Sequence, residues 1–266
     1  MTVSKLILHV LAKRGLYVTK AISKETINEL FRSFHPYQTN FDLIRLGPDG
    51  DGGYLVPDDL EDIEACFSPG VDVISEFELA CLNYGMKLFM ADKSVDRPNL
   101  DIPETKYSFL KKYVGCTNNE EFITLDHWVE SSDLKDDSDL LLQMDIEGGE
   151  YDSLIHVSDA LLNRFRIMVI EFHFLDDLWD PGFYKIAKAV FDKILQNHTC
   201  VHIHPNNQGD VKSRLGIDIP MYAEFTFIRN DRIKTKEFQT RFPHKLDFDN
   251  SGKAHIPLPE EWYKSY

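Results

Sequence analysis

The run Leu140-Leu-Leu-Gln-Met-Asp145-Ile-Glu147-Gly148-Gly149-Glu150 constrains this chain more than any other segment. Its apolar first half reads as a buried strand, and it passes without a gap into three acids and two glycines. In open α/β sheets, ligands bind outside the carboxyl ends of the strands, so Asp145 stands where catalysis would be done. Capping of a following helix is the plainer reading of Asp145 and Glu147, but it explains one acid better than three.

The rest of the chain alternates in the same way. Glu64–Ser68 reads as a short buried strand, Pro69-Gly70 as a sharp turn, Val73–Tyr84 as a helix and Lys87–Asp92 as a second strand ending in an acid. Gly70 at the turn and Asp92, 22 positions later, fit a backbone approached by a ligand and a carboxylate that accepts ribose hydroxyls. Asp92 could instead cap the loop after it. The full Gly-x-Gly-x-x-Gly fingerprint is missing, which argues against a dinucleotide and for a ligand with ribose but no phosphate. Further strands are expected at Tyr107–Val114, Ile167–His173, Val201–His204 and Met221–Ile228, with helices at Leu125–Val129, Tyr151–Asn163 and Phe183–Gln196. That makes about seven strands in a βαβ rhythm, an α/β fold.

Glu171 and His173 are two apart near the end of one strand, so they share a face and neighbour Asp145 if the two strands pair. His202 and His204 repeat the spacing. Such carboxylates and imidazoles could form a base with its orienting partners, or hold a divalent ion such as magnesium, with Asp145, Glu171 and His204 as ligands. The glycine-rich stretch 45–54 is a loop with residues at positive φ, either a hairpin turn or a ligand-gripping loop. It lacks the twelfth-position glutamate of a calcium loop.

With 43% hydrophobic residues in 266, the chain has material for one sizeable core. No apolar run is long enough to span a membrane. The segment Val3–Val18 has an apolar, signal-like character but is interrupted by Lys5, Lys13 and Arg14, and is read as an amphipathic helix. Four scattered cysteines suit a reducing cytoplasm. A formal charge of −15 disfavours nucleic acid as a partner. Whether the chain self-associates is left open by its composition.

These features together resemble the FkbM-like methyltransferases, a branch of the class I S-adenosylmethionine-dependent enzymes. The resemblance is carried by Asp51-Gly-Gly-Tyr54, Phe67-Ser-Pro-Gly-Val71, Asp92, Thr124-Leu-Asp126, Met144-Asp-Ile-Glu-Gly-Gly-Glu150, Ile170-Glu-Phe-His173, His204-Pro-Asn-Asn207 and Ala223-Glu-Phe-Thr-Phe227. It implies a Rossmann-like, seven-stranded, mostly parallel sheet with helices on both faces and an antiparallel C-terminal hairpin. The implied domain spans 41–230, between a helical extension at 1–40 and a C-terminal extension at 231–266. S-adenosylmethionine would be held by Tyr54, Ser68, Gly70, Asp92, Asp126 and Asp145. The implied reaction is O-methylation of a sugar, nucleotide sugar or surface glycan, as in polysaccharide biosynthesis. Asp145, His173, Glu147 and Glu171 are the expected catalytic group, with Asp145 or His173 as the base and Glu147 and Glu224 in support. The loop Phe174–Phe183, through Trp179, is expected to close over the acceptor. The competing readings are a metal-dependent hydrolase built on the acid and histidine cluster, and a binding module without catalysis.

Overall fold

The computed structural model describes residues 3–71 and 75–264. The chain opens with α1 (Val3–Lys13) and α2 (Lys24–Ser33), then the short strands β1 (Tyr37–Thr39), β2 (Leu43–Leu46) and β3 (Tyr54–Pro57). The first βαβ unit is β4 (Ala65–Pro69), α3 (Glu76–Asn83) and β5 (Lys87–Ala91). It is followed by β6 (Tyr107–Leu110), β7 (Tyr113–Val114), β8 (Phe122–Ile123) and α4 (Leu125–Glu130). The second half runs through β9 (Leu140–Met144), α5 (Glu150–His156), α6 (Asp159–Leu162), β10 (Phe165–Phe172) and α7 (Pro181–Leu195). The chain then forms β11 (His198–Pro205), β12 (Val211–Arg214), β13 (Ile217–Pro220), β14 (Ala223–Arg229) and β15 (Lys236–Phe238).

Seven strands build the central sheet in the order β11-β14-β10-β9-β4-β5-β6. All neighbours are parallel except β14, which runs antiparallel to both β10 and β11. The expected α/β sheet with its antiparallel hairpin is therefore present. Strand order reverses between β4 and β9, so a crevice opens there at the carboxyl ends, where loops leave in opposite directions.

Period-two alternation explains why these strands are buried on both faces. Leu140, Leu142 and Met144 of β9, with Met168, Ile170 and Phe172 of β10, face one core that also holds α5 and α7. Leu141, Ile167 and Val169 face a second core with Val56 and Phe77. The first core also takes in both flanks of the chain. Ile27, Leu30 and Phe31 of α2 lie at helical spacing and are fully buried, and the Phe31 ring stands 4.5 Å from that of Trp262. Strands β1 and β15 pair antiparallel, tying residues 37–39 to 236–238.

Local chemistry breaks two expected elements. The expected helix 151–163 is two, because Ser158 accepts the amide of Leu161 and starts α6 anew. The expected strand 107–114 breaks after Leu110, with β6 joining the main sheet and β7 pairing with β8. Helix α3 is described from Glu76, and the expected start at Val73 lies outside the described residues. Asp180 caps α7 by accepting the amides of Gly182 and Phe183, with Pro181 in the first turn.

Candidate active site

A cavity of about 880 Å³ occupies the crevice at the carboxyl ends of β4, β5, β9 and β10. Its wall includes Asp51, Tyr54, Gly70, Asp92, Asp145, Glu147, Glu171 and His173. The parallel pairing of β9 with β10, Met144 opposite Ile170, brings the Asp145 and Glu171–His173 ends together.

His173 is held from three sides. Its Nδ1 lies 3.2 Å from Glu150 Oε1, an oxygen that also accepts the amides of Ile146 at 3.0 Å and Gly148 at 3.2 Å. Tyr151 Oη donates to the His173 carbonyl at 2.8 Å, and the Tyr222 ring sits 4.8 Å from the imidazole. A carboxylate facing Nδ1 places the ring proton there and leaves the Nε2 lone pair free. Nε2 looks toward Glu147 at 3.4 Å, Asp145 at 3.8 Å and Glu171 at 4.0 Å. Glu150 itself is fully buried. It, rather than Asp145 or Glu147, organises the loop into α5, and that leaves those two side chains free for the cavity.

Burial dominates the titration of this group. It raises Asp145 to about 7, with the His173 charge opposing and Glu150 and Glu147 adding. It raises Glu171 well above the carboxylate range, reinforced by Asp145 and Glu224 and opposed by the bond that Asn206 donates at 2.8 Å. For His173 burial alone would lower the value, but the hydrogen bond and charge of Glu150, with Asp145 and Glu147, raise it overall.

At the other end, Asp92 Oδ1 accepts both the amide and the hydroxyl of Ser94 at 2.6 Å. The loop-capping role is therefore real, and the carboxylate still lines the cavity. Tyr113, Val114 and Phe122 form an apolar wall of the same cavity. Gly70 has φ +87°, and a Cβ there would lie 1.5 Å from the Asp145 carbonyl oxygen, so the turn packs against the end of β9. Asp51 from the glycine-rich loop accepts Gln208 Nε2 at 3.0 Å across the mouth.

Several expectations are corrected. Ser68 lies behind the wall, 2.5 Å from Glu78 Oε1 and 2.6 Å from Gln143 Oε1, and a single hydroxyl proton serves both only if Glu78 is protonated. Burial does raise Glu78. Asp126, on α4, accepts the amide of Ser158 at 2.9 Å and does not line the cavity. His204 is no partner for Asp145, because β14 intervenes: His204 pairs with Glu224, and Glu224 with Glu171. Glu171 is thus two strand spacings from His204, roughly 9–10 Å, and Asp145, at the end of β9, is three, so they are too far for one ion. His204 stands 3.7 Å from Asp247 instead. Among the described residues, the group with ligand atoms within 4.8 Å of one another is Asp145, Glu147 and His173. Glu224 is bonded by Asn250 at 2.8 Å and sits behind the cavity, where burial pushes it up to about 8 against the pull of Asn250 and Arg45. Trp179 is core: it is buried, its carbonyl accepts the amide of Ile22, and its segment is pinned by Lys212 on Asp176.

The sequence marks Glu150 only as the third acid of the motif at 145–150 and does not signal its bonds to the loop and to His173. Gln143, Asn206 and Gln208, which also line the cavity, carry no sequence signal, because lone amides form no pattern until the fold groups them.

No curated protein matches the chain. One solved structure, described as "Conversion of a Disulfide Bond into a Thioacetal Group during Echinomycin Biosynthesis", is 15% identical over 64% of this chain and 77% of that one. Its TM-score is 0.31. Residues 91–198, from the end of β5 to the start of β11, match the family model described as the Methyltransferase FkbM domain.

Proposed function

We propose that this protein is a cytoplasmic S-adenosylmethionine-dependent O-methyltransferase acting on a hydroxyl of a sugar, nucleotide sugar or surface glycan. The observation that carries the reading is the Glu150–His173 pair, which presents Nε2 to the same cavity that Asp92 lines. Asp92 beside the apolar wall of Val114 and Phe122 fits a nucleoside, with the acid toward ribose hydroxyls and the wall toward a base. When bound, S-adenosylmethionine supplies a methyl group already activated on a sulfonium. The protein's own share is to align the acceptor oxygen and take its proton. His173 Nε2, oriented by Glu150, is suited to that proton, with the Asp145 carboxylate 3.8 Å away as the alternative acceptor. Asn206 and Gln208, with the acids, offer the hydrogen bonds that a polyol uses. The acidic wall opposes anionic acceptor groups, which among these acceptors favours a neutral sugar or glycan over a nucleotide sugar.

A second reading has one specific observation behind it. Asp145, Glu147 and His173 are close enough to share a divalent cation, and the carboxylate of Glu150 behind His173 is the support that a ligating imidazole usually has. Such an ion would bind the acceptor hydroxyl and lower its pKa.

Calorimetric titration with S-adenosylhomocysteine, in chelator and then in magnesium, tests both readings. Low-micromolar binding that Asp92→Ala weakens at least about tenfold supports the methyltransferase. Absence of binding in both buffers would remove it and favour a metal-dependent hydrolase. Methyl transfer to a glycan acceptor that persists in chelator would remove the cation.

A further inference from the structure

Residues 1–24 contain Lys5, Lys13, Arg14, Lys20 and Lys24 and no acidic residue, in a chain whose formal charge is −15. All of the acidic excess lies beyond this segment. Among its described side chains, residues 7–13, helix α1 within it is not packed into either core: Ile7, Leu8, His9, Val10, Ala12 and Lys13 are all exposed, and Leu11 is half-buried. Helix α2, by contrast, buries Ile27, Leu30 and Phe31.

The exposed residues of α1 are sorted by side. Ile7, Val10 and Leu11 stand at i, i+3 and i+4 with Leu8 beside them, while His9 and Lys13 stand four apart on the opposite side. The helix ends at Gly15, with φ +75°, and the amide of Leu16 bonds back to the carbonyl of Leu11 at 3.0 Å. Leu16, Tyr17 and Val18 then follow, also exposed, Tyr17 by 92%. Six large apolar side chains left in water along one short basic segment need a covering partner.

We propose that residues 3–20 are an interfacial anchor that lays this protein on an anionic lipid surface, with Ile7, Val10 and Tyr17 at the headgroup boundary and Lys13, Arg14 and Lys20 against the headgroups. An anionic bilayer accepts apolar side chains and cations along the same line. Pairing of two α1 helices from separate copies would bring like charges together. The acidic body does not prevent the contact, because repulsion is screened beyond about 8 Å at physiological salt, and the anchor, about 16 Å long in its helix, acts locally. This surface is independent of the catalytic reading.

Co-sedimentation of the full chain with vesicles tests the anchor. The protein should bind phosphatidylcholine vesicles containing about a third phosphatidylglycerol and should not bind phosphatidylcholine alone. The pair Ile7→Ser with Val10→Ser, and separately Lys13→Glu with Arg14→Glu, should each cut the bound fraction at least about tenfold, with thermal unfolding unchanged. No binding to the anionic vesicles overturns the proposal, as does binding that survives both pairs. A solution dimer that both pairs dissolve would also overturn it, and would make a second copy the partner.

Discussion

Glu150 Oε1 and His173 Nδ1 lie 3.2 Å apart, inside a shell where Glu150 is fully buried and also takes two backbone amides of its own loop. One carboxylate thus shapes the loop that follows β9 and orients the imidazole that follows β10. Replacing His173 with Ala should lower kcat about 10²–10⁴-fold while leaving S-adenosylhomocysteine affinity near its wild-type value. Glu150→Gln keeps the shape but loses the charge, and should lower kcat less than His173→Ala does. Single-turnover methyl transfer in both variants checks this, and an unimpaired His173→Ala enzyme would exclude the imidazole as the proton acceptor.

The pH dependence follows from the same contacts. Asp145 is raised to about 7 by burial, and His173 is raised by Glu150 despite burial. Either group takes a proton only in its unprotonated form, so kcat/KM should fall as pH drops and level off on the alkaline side, with the limb at about 7 where Asp145 is the base and above the usual imidazole value where His173 is. Glu150→Gln removes the anion that raises His173, so an imidazole limb should move to lower pH. A profile flat across neutral pH would contradict both assignments.

Ser68→Ala and Asp126→Asn separate folding from binding. Neither side chain lines the cavity, so S-adenosylhomocysteine affinity should change by less than about twofold, against at least about tenfold for Asp92→Ala. Ser68→Ala should still cost about 1–3 kcal/mol of stability, because Glu78 and Gln143 lose a buried partner. Calorimetry and denaturant unfolding on the same samples read the two effects apart.

Trp262→Ala should destabilise the whole protein by about 3–5 kcal/mol, since its indole is fully buried against Phe31, Phe34 and Phe225. A loss under about 1 kcal/mol in denaturant unfolding would show that this end is dispensable to the core.

Buried Glu224 gives a linked test of stability. Its folded value is raised to about 8, so the folded state binds its proton more tightly and loses stability as pH rises from the usual carboxylate range toward 8. Glu224→Gln keeps an acceptor for Asn250 and should flatten that decline, with a gain on the order of a few kcal/mol at alkaline pH. Unfolding curves across that range check the sign.

Periodicity alone determined the α/β class, the buried strand at Leu140–Met144, the turn at Gly70 and the placing of Asp92, Asp145, Glu171 and His173 at strand ends, because burial on both faces and chain reversal are written in local residue type. Strand order is not local. The insertion of β14 between β10 and β11 separated His204 from Glu171 and Asp145, and the packing of α4 into the core shared with α5 and α6 turned Asp126 toward Ser158. Ser68 shares its strand with the cavity wall, yet Glu78 and Gln143 enclose it. Which polar side chains meet depends on contacts between residues far apart in the chain, and those are fixed only when the two cores close on either face of the sheet.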